Sequence, residues 1–240
     1  MEKEAFLRRV RDALGGARRD PEEEGRPVGA AGLPRAGRPE GGPAALAARF
    51  AREAQAVGGG AERAAPAEVA ARCAAYARAE GVRRFVAWDA EAAGSAAGLW
   101  TAAVDGLRSA GLEELEWRGL PADERRRRLA AADLGLVLAD LAIATSGTAV
   151  LVHGAGRPRS VSLLPRALLV LVPEDRLRPT LAEALADLAP ILRRPEAPQN
   201  VTFITGPSKS ADIEGELVVG AHGPYRVHHL IVAAAGGAHQ

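Results

Sequence analysis

The sequence predicts an α/β fold with a largely parallel central sheet. Two observations carry that expectation. Segments with helical periodicity alternate at short intervals with short apolar runs, the order that builds parallel strands joined by crossover helices. The run ALLVLVP, residues 167–173, is apolar without interruption and ends on proline, as expected of a strand covered on both faces. At 240 residues the chain is long enough for one sizeable α/β domain plus an appendage.

The elements follow in order. Phe6, Leu7, Val10 and Leu14 fall near helical spacing with Arg and Glu between them, so residues 1–14 hold an expected amphipathic helix that Gly15 and Gly16 stop. Residues 15–42 are rich in Gly, Pro, Arg and Glu and carry almost no large apolar side chain, which predicts a flexible tether. The α/β domain is expected over 43–240. It opens with a helix from Pro43 to Ala56, and Pro66 starts a second helix that runs to Glu80. RRFVAW (83–88) reads as a strand, GLWTAAVDGLRSAG (98–111) as a helix and LEELEW (112–117) as a strand. PADERRRRLAAAD (121–133) reads as a helix whose run Arg125 to Arg128 is a solvated face. LGLVLADLAIAT (134–145) and TAVLVHG (148–154) read as buried strands. Pro179 begins a helix with Leu181, Leu185 and Leu188 on one stripe, and VTFITG (201–206) and YRVHHLIVA (225–233) are two more strands. No internal repeat is present.

Composition narrows the function classes. Lys and Arg total 31 against 30 Asp and Glu, a net charge of +1 that calls for neither nucleic acid nor an acidic membrane as partner. Lysine occurs only at Lys3 and Lys209. The single cysteine, Cys73, is too few for a disulfide, an iron–sulfur cluster or a Cys-rich zinc site, and its helical context makes it a small core residue. The N-terminus has no apolar stretch of signal length and no segment reaches a membrane span of ~18 apolar residues, so the expected location is the cytoplasm.

In a parallel sheet, ligands bind beyond the carboxyl ends of strands. Two polar loops leave apolar strands in that way. TSGT (Thr145, Ser146, Gly147, Thr148) is a tight turn with three hydroxyls, and its glycine lets backbone N–H groups converge on an anion; it suits a ligand and a plain turn equally. GPSKSADIE (206–214) turns at Gly206 and Pro207. Ser208 or Ser210 can then cap a short helical turn, with Asp212 and Glu214 at its positive end. Capping leaves Lys209 unexplained, because a cation is unfavourable at a helix N-terminus and better placed against an anion. The spacing is not that of a Walker loop. His222 and Gly223 lie in GAHGP; an imidazole there can act on a bound carboxylate, although spacing alone favours a turn histidine bonded to a neighbouring carbonyl. His228 and His229 are neighbours on a strand and must face opposite ways, and His153 reads as a strand-end residue.

The order ADLAIATSGT, RSVSLLP, an apolar strand, TFITGPSKSADIE and VVGAHGP resembles the LutC/YkgG family, the lactate-utilisation LUD domain, over roughly residues 43–233. The resemblance implies a Rossmann-like α/β sandwich with a largely parallel sheet, of the NagB/RpiA/CoA-transferase-like kind. It implies a set of three proteins that oxidise L-lactate to pyruvate, two of them iron–sulfur proteins and this chain the cluster-free member. No cofactor or metal is then expected in this chain, whose expected role is to bind a small carboxylate or to organise the complex. The matching positions are Ser146, Gly147 and Thr148, then Arg159 and Ser162 to Pro165, then Gly206, Pro207, Ser208, Lys209, Ser210, Asp212, Ile213 and Glu214, then His222, Gly223 and Pro224. The chain departs from the family where most relatives have an acidic residue and Thr before the first Gly-Thr, here Thr145 and Ser146. It departs again where many have a histidine after the SLLP segment, here Ala167 and Leu168. No catalytic residue is assigned. A stand-alone enzyme on a small phosphorylated or acyl substrate and a pure interaction module are the competing readings, since fold alone does not fix function.

Overall fold

The computed structural model describes residues 41–193, 198, 200–211 and 217–234. All belong to the larger of the chain's two units, residues 38–240. The expected N-terminal helix and nearly all of the expected tether lie outside the described residues.

The main sheet has six strands in the order β1 (Gly60–Ala64), β12 (Arg226–Val232), β7 (Ala167–Pro173), β4 (Leu134–Leu138), β2 (Arg84–Ala87) and β3 (Glu113–Glu114). Every adjacent pair is parallel. β4 and β7 are buried along their whole length. Their unbroken apolar runs are what a sheet covered on both faces requires.

Helices cover both faces. α1 (Pro43–Ala56) carries proline in its first turn and buries Ala47, Phe50 and Ala54 at helical spacing. Pro66 opens a 3₁₀ turn, Pro66–Glu68, and the α-helix proper, α2, runs Val69–Ala79. The Glu68 carboxylate accepts the Ala65 N–H at 2.8 Å and closes that entry. α2 packs on α3 (Ala97–Ser109), with α2 burying Val69, Cys73 and Ala77. His228 stacks on Tyr76 of α2 while His229 meets Phe50 of α1 edge-on. The adjacent histidines therefore face opposite sides of the sheet, as strand geometry demands.

A second sheet has the order β8 (Leu177–Arg178), β5 (Leu141–Ile143), β6 (Thr148–His153) and β9 (Asn200–Ile204). Its inner face, including Ala142, Ala149 and Leu151, joins the main core. Its outer face, Leu141, Ile143, Val150 and Val152, packs on Ala184 and Leu188 of α6 (Leu181–Leu192). Two short helices, α4 (Ala122–Ala130) and α5 (Ser160–Leu163), pack together, and α5 lies against β4.

Three expectations change. LEELEW pairs only at Glu113 and Glu114; Trp117 instead turns inward and donates its indole N–H to the Ala87 carbonyl at 2.8 Å, which ends the strand. The leucine stripe of α6 is only partly used, since Leu188 is buried while Leu181 and Leu185 are exposed. GPSKSADIE does not form a capped helical turn at Lys209. β10 (Lys209–Ala211) pairs antiparallel with β11 (Leu217–Val219), and the Gly220 N–H to Ser208 carbonyl bond closes the hairpin. Asp212, Ile213 and Glu214 lie outside the described residues.

Candidate functional site

Three of the loops singled out in the sequence meet, and their meeting point is the C-terminal end of α1. TSGT turns the chain from β5 to β6. Gly147 has φ of 62°, and a Cβ there would stand 2.3 Å from the Ala54 backbone nitrogen, so only glycine lets the turn seat on the helix. The Ala149–Ile204 pairing brings Thr148 beside Thr205, and hydroxyls link Ser146, Thr148 and Thr205 at 2.7 and 2.9 Å. Gly206 lies against Val57. Lys209 donates to the Val57 carbonyl at 2.6 Å. Val57 is the C-cap of α1, where orphan carbonyls and the negative end of the dipole favour a cation. The lysine that had no place at a helix N-terminus thus serves a helix C-terminus far away in sequence. The third loop joins through the Ser208 N–H, which donates to the Pro224 carbonyl at 2.9 Å, and Gly223 lies close to Ser208.

Much of the polar chemistry here is already engaged. The Thr145 and Ser146 amides donate to the Pro179 and Ile143 carbonyls rather than converging on an open nest. His222 is exposed, and the side chains of Ser208, Ser210 and His222 have no hydrogen-bond partner among the described residues. The cluster also lies at the amino edge of the main sheet: Val57 comes just before β1 and Pro224 just before β12. The loops do follow carboxyl ends of strands, but those strands, β5 and β9, belong to the second sheet. The rule that ligands gather beyond the carboxyl ends of a parallel sheet therefore points elsewhere.

At the carboxyl edge, Asp140 carries the chain from β4 to β5. Arg157 grips its carboxylate with two bonds, 2.8 and 2.6 Å, and Asp140 also accepts the Val152 N–H at 2.7 Å. The guanidinium lies 4.2 Å above the Trp88 ring centroid, a cation–π contact just past the end of β2. Trp88 in turn donates to the Pro158 carbonyl at 3.2 Å. His153, the last residue of β6, stands edge-on to Trp88. Burial pushes its pKa down, and the Arg157 and Arg159 charges push the same way against its hydrogen bond to the Arg157 carbonyl and the Asp140 charge. The Arg157 carbonyl, 3.2 Å from Nδ1, can only accept, so in the neutral ring Nδ1 donates, and Nε2 lies 2.9 Å from the Thr202 hydroxyl oxygen. Sequence reasoning placed His153 but missed Asp140, Arg157 and Trp88. The available signal was an aspartate closing the apolar run LGLVLAD, with the arginine that grips it 17 residues further on.

Beside this network an open cleft of about 590 Å³ lies between α4, α5 and the strand ends. Arg125 and Arg126 of α4, Arg159 and Ser160 at the start of α5, His153 and Asn200 supply its polar wall. Arg126 pairs with Asp123 at 3.2 Å, whereas the Arg125 and Arg159 guanidinium groups have no hydrogen-bond or ion-pair partner among the described residues. Among those residues no group of three or more His, Cys, Asp or Glu is placed to hold a metal ion.

Comparison with known proteins gives the architecture a family. A family model described as the LUD domain matches residues 47–232. Lactate utilization protein C of Exiguobacterium sp. is 41% identical over 122 residues, covering 50% of this chain and 53% of that protein. The protein of the same name from Halalkalibacterium halodurans is 44% identical over 102 residues, covering 42% and 44%. The chain spans about half the length of the curated relatives it matches. Among solved structures, a crystal structure of a DUF162 family protein from Deinococcus radiodurans superposes with a TM-score of 0.57 at 24% identity, covering 81% of this chain and 100% of that one; at that identity it speaks for the fold alone. With the family model matched across both sheets, from α1 to the end of β12, the chain belongs to the LUD-domain family.

Proposed function

We propose that this chain is the cluster-free member of a three-protein set that oxidises L-lactate to pyruvate, working with two iron–sulfur proteins. The observation that carries this reading is the LUD match over residues 47–232, together with relatives named for lactate utilisation. Oxidation of lactate removes two electrons and two protons, and such electrons travel through cofactors or clusters rather than side chains. The one thiol of the chain is too few to ligate a cluster, and Cys73 sits buried in α2 with its pKa pushed up to about 12, first by burial. Electron transfer therefore belongs to the partners in this reading, and this chain receives the small carboxylate and organises the complex. The amino-edge loops are its reception point: Ser208, Ser210 and His222 are the groups there that the fold leaves unengaged, while Lys209 and the Thr145–Thr148 turn hold the loops on α1.

The test is reconstitution. The three purified proteins should reduce an electron-accepting dye on addition of L-lactate, and omitting this chain should abolish the reaction. His222→Ala should raise KM for lactate about 10-fold, the worth of one charge-assisted hydrogen bond. Full activity from the two iron–sulfur proteins alone would sink the reading.

A further inference from the structure

The geometry points to a second ligand site, a pocket for an organic polyanion in the cleft between α4 and α5, with Arg125 and Arg159 as its contact residues. Charge is the first support. Elsewhere in the fold many arginines are matched to acids: Arg63 to Glu174, Arg118 to Asp89, Arg157 to Asp140, Arg226 to Glu80. The wall of the cleft differs in holding no acid. Arg125, Arg126 and Arg159 line it, Arg126 alone of the three paired with an acid, and no Asp or Glu among the described residues lines it. Like charges gathered on a concave surface raise the local concentration of counter-ions, and planar guanidinium forks match carboxylate and phosphate oxygens.

Size is the second support. The volume of about 590 Å³ falls in the ~300–1,000 Å³ range of small-molecule pockets. At about 30 Å³ per water-sized group, a three-carbon hydroxy acid would fill no more than about a third of it. Leu129, Leu163 and Leu164 add an apolar wall, which a bare inorganic anion would leave unused. The ligand that fits has at least two negative charges and an organic body larger than lactate. Arg157 cannot share the work, since both ends of its fork are held by Asp140. The cleft shares no residue with the amino-edge loops that would receive lactate, so the pocket stands whether or not the chain serves lactate oxidation.

Calorimetric titration of the full chain at low ionic strength tests it, with citrate, fructose 1,6-bisphosphate, inorganic phosphate and L-lactate as probes. At least one of the two organic polyanions should bind one to one, at least about 10-fold tighter than inorganic phosphate or lactate. Arg125→Ala and Arg159→Ala should each weaken it about 10-fold. Arg52→Ala, which removes an exposed charge from α1, should change it less than twofold. The choice between citrate and the bisphosphate tells carboxylate from phosphate recognition. No binding of either polyanion at millimolar concentration, equal binding of inorganic phosphate, equal loss in Arg52→Ala, or insensitivity to both cleft variants would each overturn the proposal. None of these results bears on lactate-dependent dye reduction, so the two readings fail separately.

Discussion

Gly147 and Lys209 show how single residues tie the loops to α1. Gly147 combines a left-handed backbone with contact against the Ala54 backbone. A methyl group there meets both obstacles at once, backbone strain and overlap with atoms that cannot swing aside. Gly147→Ala should destabilise the fold by about 2–4 kcal/mol in urea melts. Lys209 is exposed and holds one carbonyl at 2.6 Å. Lys209→Met should therefore cost only about 0.5–1 kcal/mol. A large loss from Lys209→Met, with little from Gly147→Ala, would reverse this account of what seats the loops. Neither role could be read from the sequence. A glycine between hydroxyls suits a nest and a seat alike, and Lys209 caps a helix 152 residues away along the chain.

Between elements, backbone proximity decides where size is tolerated. Gly106 of α3 faces α2 so closely that a Cβ would lie 2.3 Å from the Ala70 carbonyl oxygen. Helix propensity alone would favour alanine there by ~1 kcal/mol. Overlap with a neighbouring helix backbone costs up to about 3 kcal/mol, so the overlap wins. Gly106→Ala should lower stability by about 1–2 kcal/mol. Gly98, exposed in the first turn of the same helix with nothing within 4 Å of its Cβ position, isolates the propensity effect, and Gly98→Ala should raise stability by up to about 0.5 kcal/mol. Thermal melts of the two variants should move in opposite directions. The elements themselves were legible where burial is two-sided: β4 and β7 carry no polar side chain, and β12 ends on the apolar run Leu230 to Val232. Legibility failed where a long-range partner overrode a local pattern. The serines and acids after Pro207 have the local chemistry of a capped helix, yet Lys209–Ala211 pairs with β11 as a strand. Asp140 and Arg157 bridge the change of sheet, a crossing that leaves no periodic trace in the sequence.

Over the whole molecule, burial of neutral histidine links folding to pH. His153, at the carboxyl edge, and His228 and His229, on opposite faces of β12, all have pKa values below the ordinary 6.5, and burial is the leading cause in each. For His228 the nearby Glu62 and Glu80 carboxylates oppose the shift. His229 is the extreme case, fully buried against Phe50 and lowered to about 4. The unfolded chain takes up these protons more readily than the folded one, so their contribution to stability is complete above pH 6.5 and is lost as pH falls towards the folded value. For His229 that window runs from 6.5 down to about 4, a loss of about 3 kcal/mol at ~1.4 kcal/mol per pH unit. Between pH 7 and 5 the depressed carboxylates, Glu68 and Glu116 among them with ordinary values of 4.5, do not blur it. Asp133, held down by the Arg83 and Arg84 amides and the Arg166 charge against its own burial, loses its contribution only below its ordinary value of 3.8. Urea melts at pH 7, 6 and 5 should show wild-type stability falling across the series. His229→Phe keeps a ring against Phe50 and gives up the Nδ1 contact to the Gly60 carbonyl at 3.3 Å. It should be less stable at pH 7 yet fall less steeply towards pH 5. A slope unchanged by the variant would move the proton uptake to His153 or His228, and the cooperative acid transition would then begin at the carboxyl edge or on the α2 face instead of under α1.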